Sequence, residues 1–168
     1  MPSDFLDTLI DPLDSMSLAT AAGRMVAAML MGALIGWERE VKHRDAGLRT
    51  HMLISLAASL FTLVAMELTS FHADPDAPLR FDPLRLIEAV TAGVAFLAAG
   101  SIIINGTNVR GVTTGASMWL CGAIGLCCGT GDIVLATMAT ILALIILWVI
   151  RLSIKPIARS MNEDSDKP

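Results

Sequence analysis

Charge is scarce in this chain. Asp, Glu, Lys and Arg make up 17% of its 168 residues, where soluble domains carry about a quarter, and the mean hydropathy is +0.65. That balance excludes an ordinary soluble domain, because burying its apolar helices on every side would leave almost no chain to cover them. No basic tract offers a surface to nucleic acid. Cysteine is also sparse: Cys121, Cys127 and Cys128 match no zinc or redox spacing, and adjacent helical residues point to different sides, so all three read as small packing residues. The sequence shows no nucleophile placed with a base, no metal-spaced histidine set and no phosphate-binding glycine loop. The expectation is therefore a protein that is not an enzyme and has no cofactor or metal site. Met1 to Ser17 lacks the positive n-region and small-residue cleavage site of a signal peptide, and is expected to remain as an extracytoplasmic segment, 1–17.

What the chain has instead is five apolar stretches, Leu18 to Trp37, Thr50 to Met66, Leu84 to Asn105, Val112 to Cys128 and Asp132 to Ile150. Each reaches or nearly reaches the roughly 17–25 residues a helix needs to cross a bilayer. The predicted fold is all-α, a polytopic membrane bundle of five transmembrane helices over 18–151 with a tail at 152–168. Gly129-Thr130-Gly131-Asp132 separates the last two helices, with glycines to end one and an Asp to cap the next. Arg39, Lys42, Arg44, Arg49, Arg110, Arg151, Lys155, Arg159 and Lys167 fall on one side of these spans and Arg80 and Arg85 on the other. That bias predicts the N-terminus outside and the C-terminus in the cytoplasm, with Trp37 and Trp148 at the cytoplasmic interface. Small residues at helix-contact spacing (Gly32 and Gly36, Ala95 and Ala99, Gly111 and Gly115, Gly125 and Gly129) predict close helix packing.

Ionisable residues inside a span are costly and normally face a partner or a polar cavity. Arg24 and Glu88 share a depth in the first and third spans, which predicts an ion pair between them, with Glu67 nearby. The first connection is denser in polar groups than an anchor requires. Its helix is expected to continue through Glu38, Arg39 and Glu40, with Glu38 meeting Lys42 and Glu40 meeting Arg44. Gly47 would break that helix. Arg49, Thr50 and His51 would then open the next at the cytoplasmic surface, where unpaired N–H groups suit an anion or carboxylate. Arg110, Thr113 and Thr114, beside Thr107 and Asn108, form a second polar patch. His72, Asp74, Asp76 and Asp82 in the second connection read as an exposed loop.

Two blocks also carry a family likeness. Gly32-Ala33-Leu34-Ile35-Gly36-Trp37-Glu38-Arg39-Glu40 followed by Ala46-Gly47-Leu48-Arg49-Thr50-His51 resembles the signature of the MgtC/SapB family of bacterial inner-membrane proteins. Asp82-Pro83-Leu84-Arg85-Leu86-Ile87, Val94-Ala95-Phe96-Leu97-Ala98-Ala99-Gly100 and Val109-Arg110-Gly111-Val112-Thr113-Thr114-Gly115-Ala116-Ser117-Met118-Trp119 through Ala123-Ile124-Gly125 resemble its later motif. The third stretch is poorer in glycine than the family pattern. MgtC-type members carry a soluble domain after their fifth span, which the short tail here is expected to lack.

The resemblance implies a multi-pass inner-membrane protein linked to growth in low magnesium and, in some pathogens, to survival inside host cells and restraint of the F-type ATP synthase. The expected function is regulatory. Its partner would be another membrane protein, such as the F-type ATP synthase or a transporter, or a second copy of the chain. The recognition surface would comprise Glu38, Arg39, Glu40, Gly47, Arg49, Thr50, His51, Arg110, Thr113 and Thr114. The competing reading is a component of a magnesium or other ion transporter, with Arg24, Glu67 and Glu88 lining an entry.

Overall fold

The computed structural model describes residues 13, 15–71 and 82–148. The first twelve residues, Arg80 and the acidic stretch of the second connection before Asp82, and the chain beyond Trp148, including the predicted tail, lie outside the described residues.

Five helices account for most of this structure: α1 (Leu18–Val41), α2 (Leu48–Phe71), α3 (Pro83–Gly100), α4 (Val112–Thr130) and α5 (Ile133–Trp148). The first four are each long and apolar enough to cross a bilayer, and the described part of α5 is a shorter apolar helix. The all-α membrane bundle anticipated from hydropathy is the fold observed. Local chemistry sets several helix starts. Ser17 caps α1 by accepting the Thr20 N–H, and Asp82 caps α3 by accepting the Leu84 N–H at 3.0 Å with Pro83 at the first helical position.

At two boundaries the structure departs from the expectation. The first helix does not run to Gly47. It ends at Val41, where His43 takes φ 49° and the His43 and Arg44 N–H groups return to the Glu40 and Arg39 carbonyls, a left-handed helix stop that a residue other than glycine here fills. The third helix stops at Gly100 rather than Asn105. Ile103–Asn105 pairs antiparallel with Asn108–Arg110 in a two-stranded hairpin. β-branched isoleucines favour extended backbone, and Gly106 at φ 60° supplies the tight turn. The break between α4 and α5 lies where expected, with Gly131 at φ 98° ending α4.

The helix ends alternate. The α1–α2 connection and the hairpin share one end of the bundle, here the connection end; Ser17, the end of α2, Asp82 and Gly131 share the other. Among them α4 is the most buried, packed by α1, α2 and α3, while α1 also packs along α2. α5 lays Ala136, Thr140 and Ala143 into the same core. Glycine makes the close approaches. A methyl group on Gly32 would lie 2.6 Å from the His51 carbonyl oxygen and one on Gly36 2.8 Å from Leu48 Cα, while Gly125 and Gly129 lie against the Ser55 and Ser59 carbonyls. These pairs carry the packing that their spacing predicted, whereas Ala95 and Ala99 are exposed. Large apolar side chains cover the outside, Leu34, Leu53, Phe61, Phe96 and Ile146 among them, as lipid rather than water requires.

Candidate functional site, a buried polar junction at the connection end

The polar residues of the two signature-like blocks meet where α1, α2 and α4 converge. Arg39, in the last turn of α1, is 4% exposed and donates from Nη2 to Thr114 Oγ1 of α4 at 2.9 Å. Its Nη1 lies 3.9 Å from Glu38 Oε2, and Glu38 in turn pairs with Lys42 one helical turn on. The Glu38–Lys42 contact is the one that helical spacing predicts. Glu38 Oε2 and Arg39 Nε are buried, and neither has a hydrogen-bond partner among the described residues.

His51, fully buried in the first turn of α2, forms the second tie. Its Nδ1 lies 2.8 Å from the Gly47 carbonyl oxygen and its Nε2 2.9 Å from Ser117 Oγ. A carbonyl can only accept, so Nδ1 carries the proton; in the neutral ring Nε2 then accepts from the Ser117 hydroxyl. The Thr114 carbonyl, 2.8 Å from Ser117 Oγ, competes for that same hydroxyl proton. Thr114 and Ser117 stand three residues apart on one face of α4, so a single helix face holds both α1 and α2.

Glu40 does not meet Arg44. Its Oε2 accepts the Leu48 N–H at 3.0 Å, occupying one of the unpaired donors at the start of α2 that had suggested an anion site. A methyl group on Gly47 would collide with that carboxylate, so the absence of a side chain there admits Glu40.

The expected recognition residues thus divide. Arg39, His51 and Thr114 face inward, Glu38, Gly47 and Thr50 are half-buried, and Glu40, Arg49, Arg110 and Thr113 are exposed. Ser117 was not among the expected site residues. Its signal was its place one turn after Thr114, readable only once His51 is known to be inside.

At the opposite end the predicted Arg24–Glu88 pair does not form. Arg24 Nη1 donates to the Gly129 carbonyl at 2.8 Å and lies 3.9 Å from Met66 Sδ, while Glu88 is exposed on α3. The last carbonyls of a helix lack intrahelical partners and carry its negative dipole end, which makes the end of α4 a better seat for a guanidinium than a carboxylate on a helix that does not pack along α1. Glu67 Oε2 accepts from Ser15 N at 3.2 Å and from Ser15 Oγ at 2.6 Å. Among the described residues no group of three or more His, Cys, Asp or Glu side chains could hold a metal ion.

The model of the MgtC family matches residues 25–154, which contain every contact of this junction. Protein MgtC of Salmonella typhimurium is 42% identical over 120 residues, 71% of this chain and 48% of that protein. Protein MgtC of Brucella abortus is 40% identical over 124 residues, 74% of this chain and 48% of that protein. The chain spans about half the length of these curated relatives, and no solved structure matches it. On the extent of the family match, the chain belongs to the MgtC family.

Proposed function

We propose that this membrane protein is a non-enzymatic regulator of the bacterial inner membrane, acting under magnesium limitation through contacts with another membrane protein. The observation that carries this reading is the joining of the two signature-like blocks by Arg39–Thr114 and His51–Ser117. Side chains that could have lined a polar path hold helices together instead. The same junction fixes the frame from which Glu40, Arg49, Arg110 and Thr113 project at the connection end. A rigid end with exposed charge suits recognition of a partner better than passage of an ion.

The test is complementation of a bacterium lacking its own copy, grown at limiting magnesium, by the Arg49→Ala/Arg110→Ala double variant. The expected result is loss of growth with wild-type abundance in the membrane. Full complementation would remove the exposed basic residues from the function. Saturable magnesium flux into proteoliposomes of the wild-type chain, lost in Arg24→Ala, would replace the regulatory reading with transport.

A further inference from the structure

We propose that the hairpin between α3 and α4 is an anchor in the membrane interface, lying among the lipid headgroups with Ile104 and Val109 turned to the acyl chains. Directly opposed residues of an antiparallel pair share a face. The register Ile104 with Val109, Ile103 with Arg110 and Asn105 with Asn108 therefore gives one face that is an isoleucine–valine pair. The other face carries Arg110, Asn105 and Asn108, with Ile103, 58% exposed, opposite the arginine.

All six strand residues are exposed, Ile104 at 71% and Val109 at 55%. A ribbon this short is not stable in water by itself, and apolar residues so exposed call for a cover. Lipid is the occupant that fits, because exposed apolar residues flank the ribbon on both adjoining helices. Phe96 and Leu97 precede it on α3 and Val112 follows on α4, each exposed.

Depth follows from the backbone. A two-stranded ribbon leaves the outward N–H and C=O groups of both strands unpaired, which the hydrocarbon interior does not tolerate and the hydrated headgroup region does. That region accepts the apolar pair below and the Asn105-Gly106-Thr107-Asn108 tip in water, while Arg110 can extend its head to lipid phosphate. The base of the ribbon is held: Gly111, at φ 86°, packs so close to the Ser101 carbonyl that a side chain would collide with it.

The test is nitroxide depth measurement on the full-length chain in nanodiscs of phosphatidylethanolamine and phosphatidylglycerol, with the label at Ile104→Cys, Val109→Cys or Thr107→Cys. Cys121 and Cys128 are buried, and labelling of the wild-type chain corrects for Cys127. At Ile104→Cys and Val109→Cys, collision with oxygen should exceed collision with a water-soluble nickel chelate several-fold, with the order reversed at Thr107→Cys. Nickel access at Ile104→Cys equal to that at Thr107→Cys would place the ribbon in water and overturn the proposal. Low access to both reagents at Ile104→Cys would overturn it in favour of a protein cover, a second copy or another partner.

Discussion

Arg39 brings a permanent charge to a position 4% exposed, and the structure answers it with Thr114, Glu38 and the nearby end of α1. Removing one member of a buried charged contact leaves the other desolvated and unpaired, which costs more than the contact itself contributes. Thr114→Val should lower stability by about 1–3 kcal/mol, and Thr114→Ser, which keeps the acceptor, should restore most of it. Thermal unfolding of the purified chain in detergent checks both; equal stability of the valine variant and wild type would show that Arg39 Nη2 has another partner. At the other end, Arg24→Met should destabilise the bundle and Glu88→Gln should not, because Arg24 bonds to the Gly129 carbonyl while Glu88 is exposed. The same unfolding assay separates this from ion pairing, in which both variants would lose stability. Charge and depth in the sequence singled out Arg24 and paired it with Glu88, while Arg39 and His51 were expected at the cytoplasmic surface. The actual partners were not legible, because a guanidinium can be satisfied by a backbone carbonyl or a hydroxyl, and neither leaves a charge pattern to read.

At the scale of the elements, helix contact through glycine was legible and its consequences differ from site to site. Gly32 and Gly23 lie on the same helix, yet a methyl group at Gly32 meets the His51 carbonyl at 2.6 Å and one at Gly23 meets nothing within 4 Å. Gly32→Ala should therefore push α1 off α2 and cost about 1–3 kcal/mol, whereas Gly23→Ala should change stability by no more than about 0.5 kcal/mol. Unfolding midpoints in detergent compare the two, and a Gly32→Ala chain as stable as wild type would mean that the helices separate without loss. The hairpin was not legible, because Ile102-Ile103-Ile104 extends an apolar run that a bilayer-spanning helix could equally use. Only the Asn105-Gly106 turn signal distinguished the two, and hydropathy does not register it. The end of α1 was missed for a related reason: the left-handed stop falls on His43, while glycine, the usual occupant, stands four residues later at Gly47 and serves to admit Glu40.

For the molecule as a whole, alternation of the helices fixes which loops share a side, and the basic residues suggest which side that is. The α1–α2 connection and the hairpin lie together at the connection end, with Arg39, Lys42, Arg44, Arg49 and Arg110, and the α4–α5 turn lies at the other. Arg and Lys favour the cytoplasmic side of a membrane protein, so the connection end should face the cytoplasm. Asp45, Thr107 and Asp132 are exposed, and cysteine at each can be labelled in intact spheroplasts by a membrane-impermeant maleimide, with Cys121 and Cys128 protected by burial and labelling of the wild-type chain correcting for Cys127. Asp132→Cys should react before permeabilisation, and Asp45→Cys and Thr107→Cys only after it. Labelling of Asp45→Cys and Thr107→Cys from opposite sides would contradict the order of the helices. The reverse pattern at all three positions would leave the fold intact and place the buried junction, with the exposed Arg49 and Arg110 around it, on the outer face, where a cytoplasmic partner could not reach them.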